Sequence, residues 1–567
     1  MNNNPRIFLW IGLILVLWLN YEAWVRDYGE KPQPSAAVAP GGTANGGGTT
    51  ASGLDSAIPQ SNGSTAATSS AAAVAGGSAA PDAGVAAATD AGKVHVVTDV
   101  FDLDISLRGG ELERADLNNY PLIKGGAQRV RLLNRDSPQT LYVLQSGLSG
   151  PAGANRPTHL AHFAAENPEY HMQDGQRELR VPLRWTDGQG VSVTKTFVFT
   201  RGLYCIGLDY RIDNHGSEPW PAAAYAQIFR HNVPIARSMF SVESYAFKGP
   251  AIHDGTKYRK LKLDNNDDRK LSLDVRGGWL AALEHHFVSA AVPAADAINH
   301  YALNVQGVEY TLSAVGPTQS IAPGASAELK QTVYVGPKLQ AQLEATAPNL
   351  ERVADYGVLT ILAKPLFWLL GKLHALVGNW GWAIILATFI LKLAFYPLSE
   401  ASGKSMGKMK TLQPRIKALQ ETYKDDREKL GKAMMELYQR EKINPVAGCL
   451  PILIQMPVFL AFYWVLLESV EMRQAPFMGW LNDLSARDPF FILPAIMAGA
   501  MFLQYKLNPA PPDPVQQKVF MIMPLAMSAM FAFFPSGLVL YWVTNTILSI
   551  AQQWNINRRI GAATAKR

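Results

Sequence analysis

Residues 380–397 read WGWAIILATFILKLAFYP. The only charge in this stretch is Lys392, and Thr388 stands one helical turn before it. About 20 apolar residues cross the hydrocarbon of a bilayer, so the run predicts a transmembrane helix with a lysine inside it. An ammonium at mid-helix costs about 2.5–3.5 kcal/mol on insertion scales, and such residues usually face a polar interior or mark a substrate path. Snorkelling is the competing reading. Lys392 lies five residues before Pro397, about 7.5 Å of helix, and a lysine stem covers much of that. Thr388 on the same face favours a polar stripe.

The membrane texture continues to the C-terminus. Residues 447–467 carry no charge, and 489–505 is a further apolar run. Residues 519–551 are too long for one span, and Phe534-Pro535-Ser536-Gly537 divides them into 519–534 and 538–551. Gln455 lies in the charge-free run, and Tyr541, Trp542, Thr544, Asn545, Thr546 and Ser549 lie in the last. Singly, each polar residue reads best as an interhelical hydrogen bond. Together with Lys392 they suggest a polar cavity within the bilayer. After residues 1–6, a run over 7–25 ends in Asn20-Tyr21-Glu22-Ala23-Trp24, which lacks the small residues of a cleavage site. It reads as an uncleaved anchor and brings the expected spans to six.

Between the anchor and the other spans lie two different textures. Over residues 32–92, 49 of 61 positions are Ala, Gly, Ser, Thr or Pro, with no aromatic residue and no Lys or Arg. Such a segment cannot bury enough surface to offset its ordering entropy, so 26–92 reads as a flexible tether. From 93 to 338, period-two alternation at 191–199, 203–212 and 328–335, with Gly, Pro and Asn-Asp clusters between, predicts a large all-β sandwich. A helical stretch over 339–354 follows, and 355–379 reads as an amphipathic helix along a membrane surface. A buried soluble helix is the alternative there.

Lys and Arg set the orientation. Residues 398–446 hold 11, 506–518 hold two and the tail 552–567 holds four, against two in the opposed loop 468–488. Both chain ends and the 398–446 loop are therefore expected in the cytoplasm, with the β domain outside. In that loop Leu412, Ile416, Leu419 and Tyr423 make one apolar stripe, and Leu430, Met434 and Leu437 another. They predict a helical hairpin turning at 424–427. Its seven acidic residues argue against nucleic-acid binding.

Composition agrees. Of 567 residues, 48% are hydrophobic and only 17% charged, against about 25% in a soluble domain. Net charge is +6, and the two cysteines, Cys205 and Cys449, exclude a disulfide scaffold or a four-cysteine zinc site. No histidine follows His374, so the spans hold no Ser-His pair. Gly403-Lys404-Ser405 has Leu398 where a P-loop needs its first glycine. His285 and His286 are neighbours that a strand would point to opposite sides, a poor metal pair. Neither an enzyme nor a metal, cofactor or nucleotide site is expected.

These residues together resemble the YidC family of membrane protein insertases in its Gram-negative form. The carriers are Val377-Gly-Asn-Trp-Gly381, Tyr396-Pro-Leu398, Leu412-Gln-Pro414, Asn444-Pro445, Gly448-Cys449, Ile454-Gln-Met-Pro457, Arg473-Gln-Ala-Pro476, Leu493-Pro494 and Phe534-Pro-Ser-Gly-Leu538. The resemblance implies a β-super-sandwich in the periplasm and six transmembrane helices in the bacterial inner membrane. Five of them enclose a hydrophilic groove, open to the cytoplasm and to lipid, that takes nascent membrane proteins. It implies the Sec translocon, the ribosome and targeting factors as partners. Lys392, Thr388, Gln455, Tyr541, Trp542 and Asn545 would line the groove, with Lys392 at the position of its positive charge. Family members mostly carry arginine there, and a second tyrosine where this chain has Trp542. Lysine keeps the charge but loses the planar fork for bidentate carboxylate binding. Two other classes remain open: a small-solute transporter, although no internal repeat is visible, and a membrane-tethered carbohydrate-binding protein working through 93–338.

Overall fold

Every second residue of Val191–Thr200 is buried: Val191, Val193, Lys195, Phe197 and Phe199 point inward. This strand pairs antiparallel with Cys205–Asn214, which pairs in turn with Ser326–Pro337. The three alternating runs are thus neighbours at the centre of one nine-stranded sheet, which faces a second sheet of eleven strands. The first strand begins at Lys93 and the last ends at Pro337. Inner-face residues of both sheets form one apolar core, from Val94 and Leu103 to Trp279 and Tyr334. The structure is a computed structural model and describes residues 58, 92–151, 155–232, 246–423, 426–441, 450–507 and 514–565. The anchor, Cys449, and the tether apart from Ile58 and Gly92 lie outside these residues. Ile58 is buried against Ala223, Tyr225 and Val315 of the β domain, a contact that a pure spacer does not provide.

Lys195 occupies an inward slot that the alternation reserves for an apolar side chain. Its ammonium donates to the carbonyls of Gly109 (3.1 Å), Gly110 (2.7 Å) and Ser146 (2.9 Å). Gly109 has φ 78°, and a Cβ there would lie 2.1 Å from the His159 carbonyl oxygen, so only glycine lets the acceptor turn approach.

The second half is helical: α1 Gln340–Thr346, α2 Thr360–Val377, α3 Trp380–Ala394, α4 Tyr396–Thr411, α5 Gln413–Thr422, α6 Arg427–Arg440, α7 Leu450–Glu468, α8 Ile492–Leu507, α9 Pro514–Phe531 and α10 Ser536–Ala565. A second core joins α2, α3, α7, α8 and α10 through Leu370, Ala383, Ile384, Phe462, Met497 and Val539. Among the fully described residues α2 is long and apolar enough to cross a membrane unaided, α3 and α4 qualify as a pair bent by 62°, and Gln455–Glu468 of α7, Ile492–Leu507 and Gln517–Phe531 are shorter apolar helical stretches.

Several boundaries differ from the sequence reading. The expected straight span over 380–397 ends at Ala394 and restarts at Tyr396 after a turn at Phe395: Pro397 has no N–H for the Leu393 carbonyl, and its ring crowds that carbonyl. The last helix runs to Ala565, so the basic tail continues it. The stretch 339–354 is a short α1 followed by a 3-10 turn over Leu350–Val353. His285 and His286 lie in the turn between strands Trp279–Leu283 and Phe287–Val292, not in a strand, and their rings stack at 3.9 Å. No cluster of metal-ligating side chains occurs among the described residues.

The two halves meet at the loop between α7 and α8. Lys338 at the end of the last strand pairs with Glu468 at 3.7 Å, both buried. His285 Nε2 lies 3.1 Å from the Leu467 carbonyl and donates to it. Burial, with Lys338 close by, pushes the His285 imidazole down to about 4.

Candidate polar groove between the helices

The start of α3 is fixed by its own residues. Gly378 closes α2 at φ 67°, donating its N–H to the His374 carbonyl. Asn379 then caps α3 by accepting from the Trp382 N–H, while its amide donates to the Pro476 and Phe477 carbonyls at 3.1 Å. A Cβ on Gly381 would come within 2.1 Å of the Phe477 ring. The α7–α8 loop therefore sits directly on the helix end. Ser536 and Gly537, at the start of α10, donate their N–H groups to Ala486 and Leu484 of the same loop. One loop thus sets the mutual placement of α3 and α10.

From these fixed ends the polar faces converge. Thr388 and Lys392 are one turn apart on α3, and Tyr541, Asn545 and Ser549 are spaced by four on α10, so each set shares a face. Thr388, Lys392, Gln455, Tyr541 and Asn545 line one cavity together with Leu391, Phe395 and Val458. Its volume is about 20 Å³, room for one water and none for a peptide. Lys392 Nζ donates to Ser549 Oγ at 2.7 Å, and that hydroxyl donates to the Asn545 carbonyl. Among the described residues the ammonium meets no carboxylate. Thr388 is buried and its hydroxyl bonds the Ile384 carbonyl one turn back.

Trp542 is not in this set. It packs edge-on against Phe459 at 4.6 Å and against Phe531 at 5.2 Å. One residue on from Tyr541, it is rotated about 100° around the helix. Sequence reading named Ser549 only as one of a polar cluster and missed its place as the partner of Lys392; its spacing of four from Asn545 and eight from Tyr541 was the available signal.

Below the cavity the chain turns at Phe395 into the hairpin. Leu412 and Ile416 are buried against Met434, Leu437 and Tyr438, a cluster separate from that of the bundle. Leu419 and Tyr423 are half-buried. The α4 segment touches the bundle at Gly403, where a Cβ would meet Ile556 at 2.9 Å.

Both halves of the chain match family models: the YidC periplasmic domain over residues 93–369 and the 60Kd inner membrane protein over 372–563. A membrane protein insertase YidC of Thioalkalivibrio sulfidiphilus is 46% identical, with 100% of each chain covered. The corresponding proteins of Nitrosococcus oceani and Pseudomonas fluorescens are 44% and 43% identical, covering 98% and 99% of this chain and 99% of each relative. Full-length identity at this level joins the β domain and the helical bundle in a single assignment: the chain belongs to the YidC family of membrane protein insertases.

Proposed function

We propose that this insertase moves the polar tail of a client through the space between α3, α7 and α10, with Lys392 as its charge. The observation that carries the reading is the convergence of Thr388, Lys392, Gln455, Tyr541 and Asn545 on one cavity. A wet, charged path lowers the cost of carrying polar groups into hydrocarbon. The ammonium attracts acidic residues of the entering tail, and the client's own apolar helix leaves sideways into lipid, driven by burial at roughly 25 cal/mol per Å². The cavity has room for about one water, so a client needs more space than this structure shows between the helices. The bend at Phe395 and the separate packing of the hairpin favour motion of α4–α6 as the opening step.

The chain is an inner-membrane protein by family, and its substrates are nascent membrane proteins. The finer topology is six spans, with both termini and the 398–446 hairpin cytoplasmic and the β domain periplasmic. Lysine and arginine asymmetry supports it. The Sec translocon, the ribosome, targeting factors and surrounding lipid are the partners this placement implies. A photocrosslinker at Gln455 or Asn545 tests the groove: a nascent client should crosslink there and not from Trp542. Equal yields from all three positions would remove the groove from the mechanism.

A further inference from the structure

The β domain carries a hairpin tip that water alone does not explain. Strands Leu112–Pro121 and Arg129–Leu133 are joined by a turn over 122–128, closed by the Leu122 N–H to Gln128 carbonyl bond and by Gly125 at φ 75°. Turns favour Gly, Asn, Asp and Ser, yet this tip presents Leu122 at 50% and Ile123 at 72% exposure. Adjacent aliphatic side chains held out in this way mark a surface that meets something apolar.

The neighbouring contacts say what. Lys124, next in sequence, donates to the carbonyls of Gln474 and Asn482 in the α7–α8 loop. In return Arg473 and Gln474 donate to the Pro121 carbonyl at 2.9 and 3.0 Å. The loop is shaped for this exchange: Gln474 has the left-handed φ of 58°, and its N–H is held by the Asp483 carboxylate. The tip is therefore fastened from both sides to a loop whose two ends are apolar helices. At the head of α8, Phe490 and Phe491 are 67% and 45% exposed, a second apolar pair next to the same loop.

We infer that Leu122 and Ile123 insert into the outer leaflet beside the α7–α8 loop, making this hairpin a lipid anchor that holds the β domain against the membrane. The inference rests on the membrane placement proposed above, which puts that loop at the periplasmic surface.

The test uses the full chain with Cys205→Ser and Cys449→Ser, carrying one cysteine at a time as Ile123→Cys, Phe389→Cys or Asp174→Cys. Each is labelled with an environment-sensitive fluorophore and reconstituted in liposomes containing spin-labelled lipid. Phe389 is exposed on α3 and reports the span; Asp174, on an exposed turn, reports water. The anchor predicts quenching of the Ile123 label by about twofold with the spin label near the head group, less with it at mid-chain. Asp174 should be unquenched and Phe389 quenched best at mid-chain. Quenching at Phe389 with none at Ile123 overturns the anchor and leaves the spans standing. A blue-shifted, shielded Ile123 label that lipid does not quench also overturns it and makes the tip a protein contact. No quenching at Phe389 overturns the placement itself, and the anchor with it.

Discussion

Lys195 and Lys392 are both lysines in apolar surroundings, one in the β domain and one among the helices, and their partners differ in kind. An ammonium has three donors. Lys195 places its three on backbone carbonyls, two in a turn that needs glycine at 109 and one, Ser146, in the strand Tyr142–Ser149. Lys392 gives one to Ser549, and its side chain lines a cavity with Gln455, Tyr541 and Asn545. A buried charge with every donor met by backbone is a structural rivet. A half-buried charge with donors left over beside polar space is available to a ligand. The β domain too buries polar groups, with Gln145 bonded to Glu111 and to Gln227, but there they are bonded to one another, whereas the polar groups of the bundle line a cavity.

Four experiments bear on this contrast. Lys195→Met removes the partner of three buried carbonyls, so the β domain should lose about 3 kcal/mol of stability, roughly 1 kcal/mol for each bond. Differential scanning calorimetry should show it as a lowered transition, while insertion of a standard client changes little. A large insertion defect with an unshifted transition would reverse the two roles.

Next in size is Lys392→Ala. For a client with an acidic tail, protease-protected insertion should fall about tenfold, or ~1.4 kcal/mol of lost attraction. A neutral short tail should lose least, Lys392→Arg should be tolerated, and Lys392→Glu should be worse than alanine through like-charge repulsion. Equal loss for both tails would make Lys392 a rivet like Lys195.

A third measurement concerns the junction of the halves. His285 is held neutral in the folded chain, with its imidazole at about 4 against an ordinary 6.5. The unfolded state therefore binds more protons between those values, and stability is lost as pH falls from 6.5 toward 4. Between pH 7 and 5.5 His285 should account for about 1 kcal/mol of the loss, and His285→Gln should make that part of the pH profile shallower by about this amount, the remainder coming from His159 and His286, which burial also holds neutral. An unchanged profile would show that the junction opens without charging the ring.

The smallest effect is expected from Ser549→Ala. If Lys392 faces usable polar space, water replaces the hydroxyl at a cost of about 0.5 kcal/mol or less, within twofold in insertion. A defect as large as that of Lys392→Ala would mean that Ser549 fixes the ammonium in place.

Much was legible in the chain alone. Alternation over 191–199, 203–212 and 328–335 marked strands because a sheet buries every second side chain; that the three are neighbours depends on register, which one strand cannot encode. Lys195 was overlooked although it stands in the apolar phase of its strand, since a polar residue in that phase is read as an edge or an error until its acceptors are seen. The hairpin stripe Leu412 and Ile416 was visible by its period, and its partners Met434 and Leu437 by theirs.

By itself the sequence determined the β domain and the apolar helical half, because composition and period report how much surface each segment can bury. It also determined that a charge and several polar groups lie within apolar runs. Only the tertiary structure decided which of those groups meet. Helix rotation follows from distant contacts, such as Asn379 on the α7–α8 loop and Gly537 under Leu484. Those contacts turn Tyr541 toward Lys392 and Trp542 away from it, although the two are adjacent in the chain. Local sequence sets what a helix can bury on each face; the packing of its ends sets what each face meets.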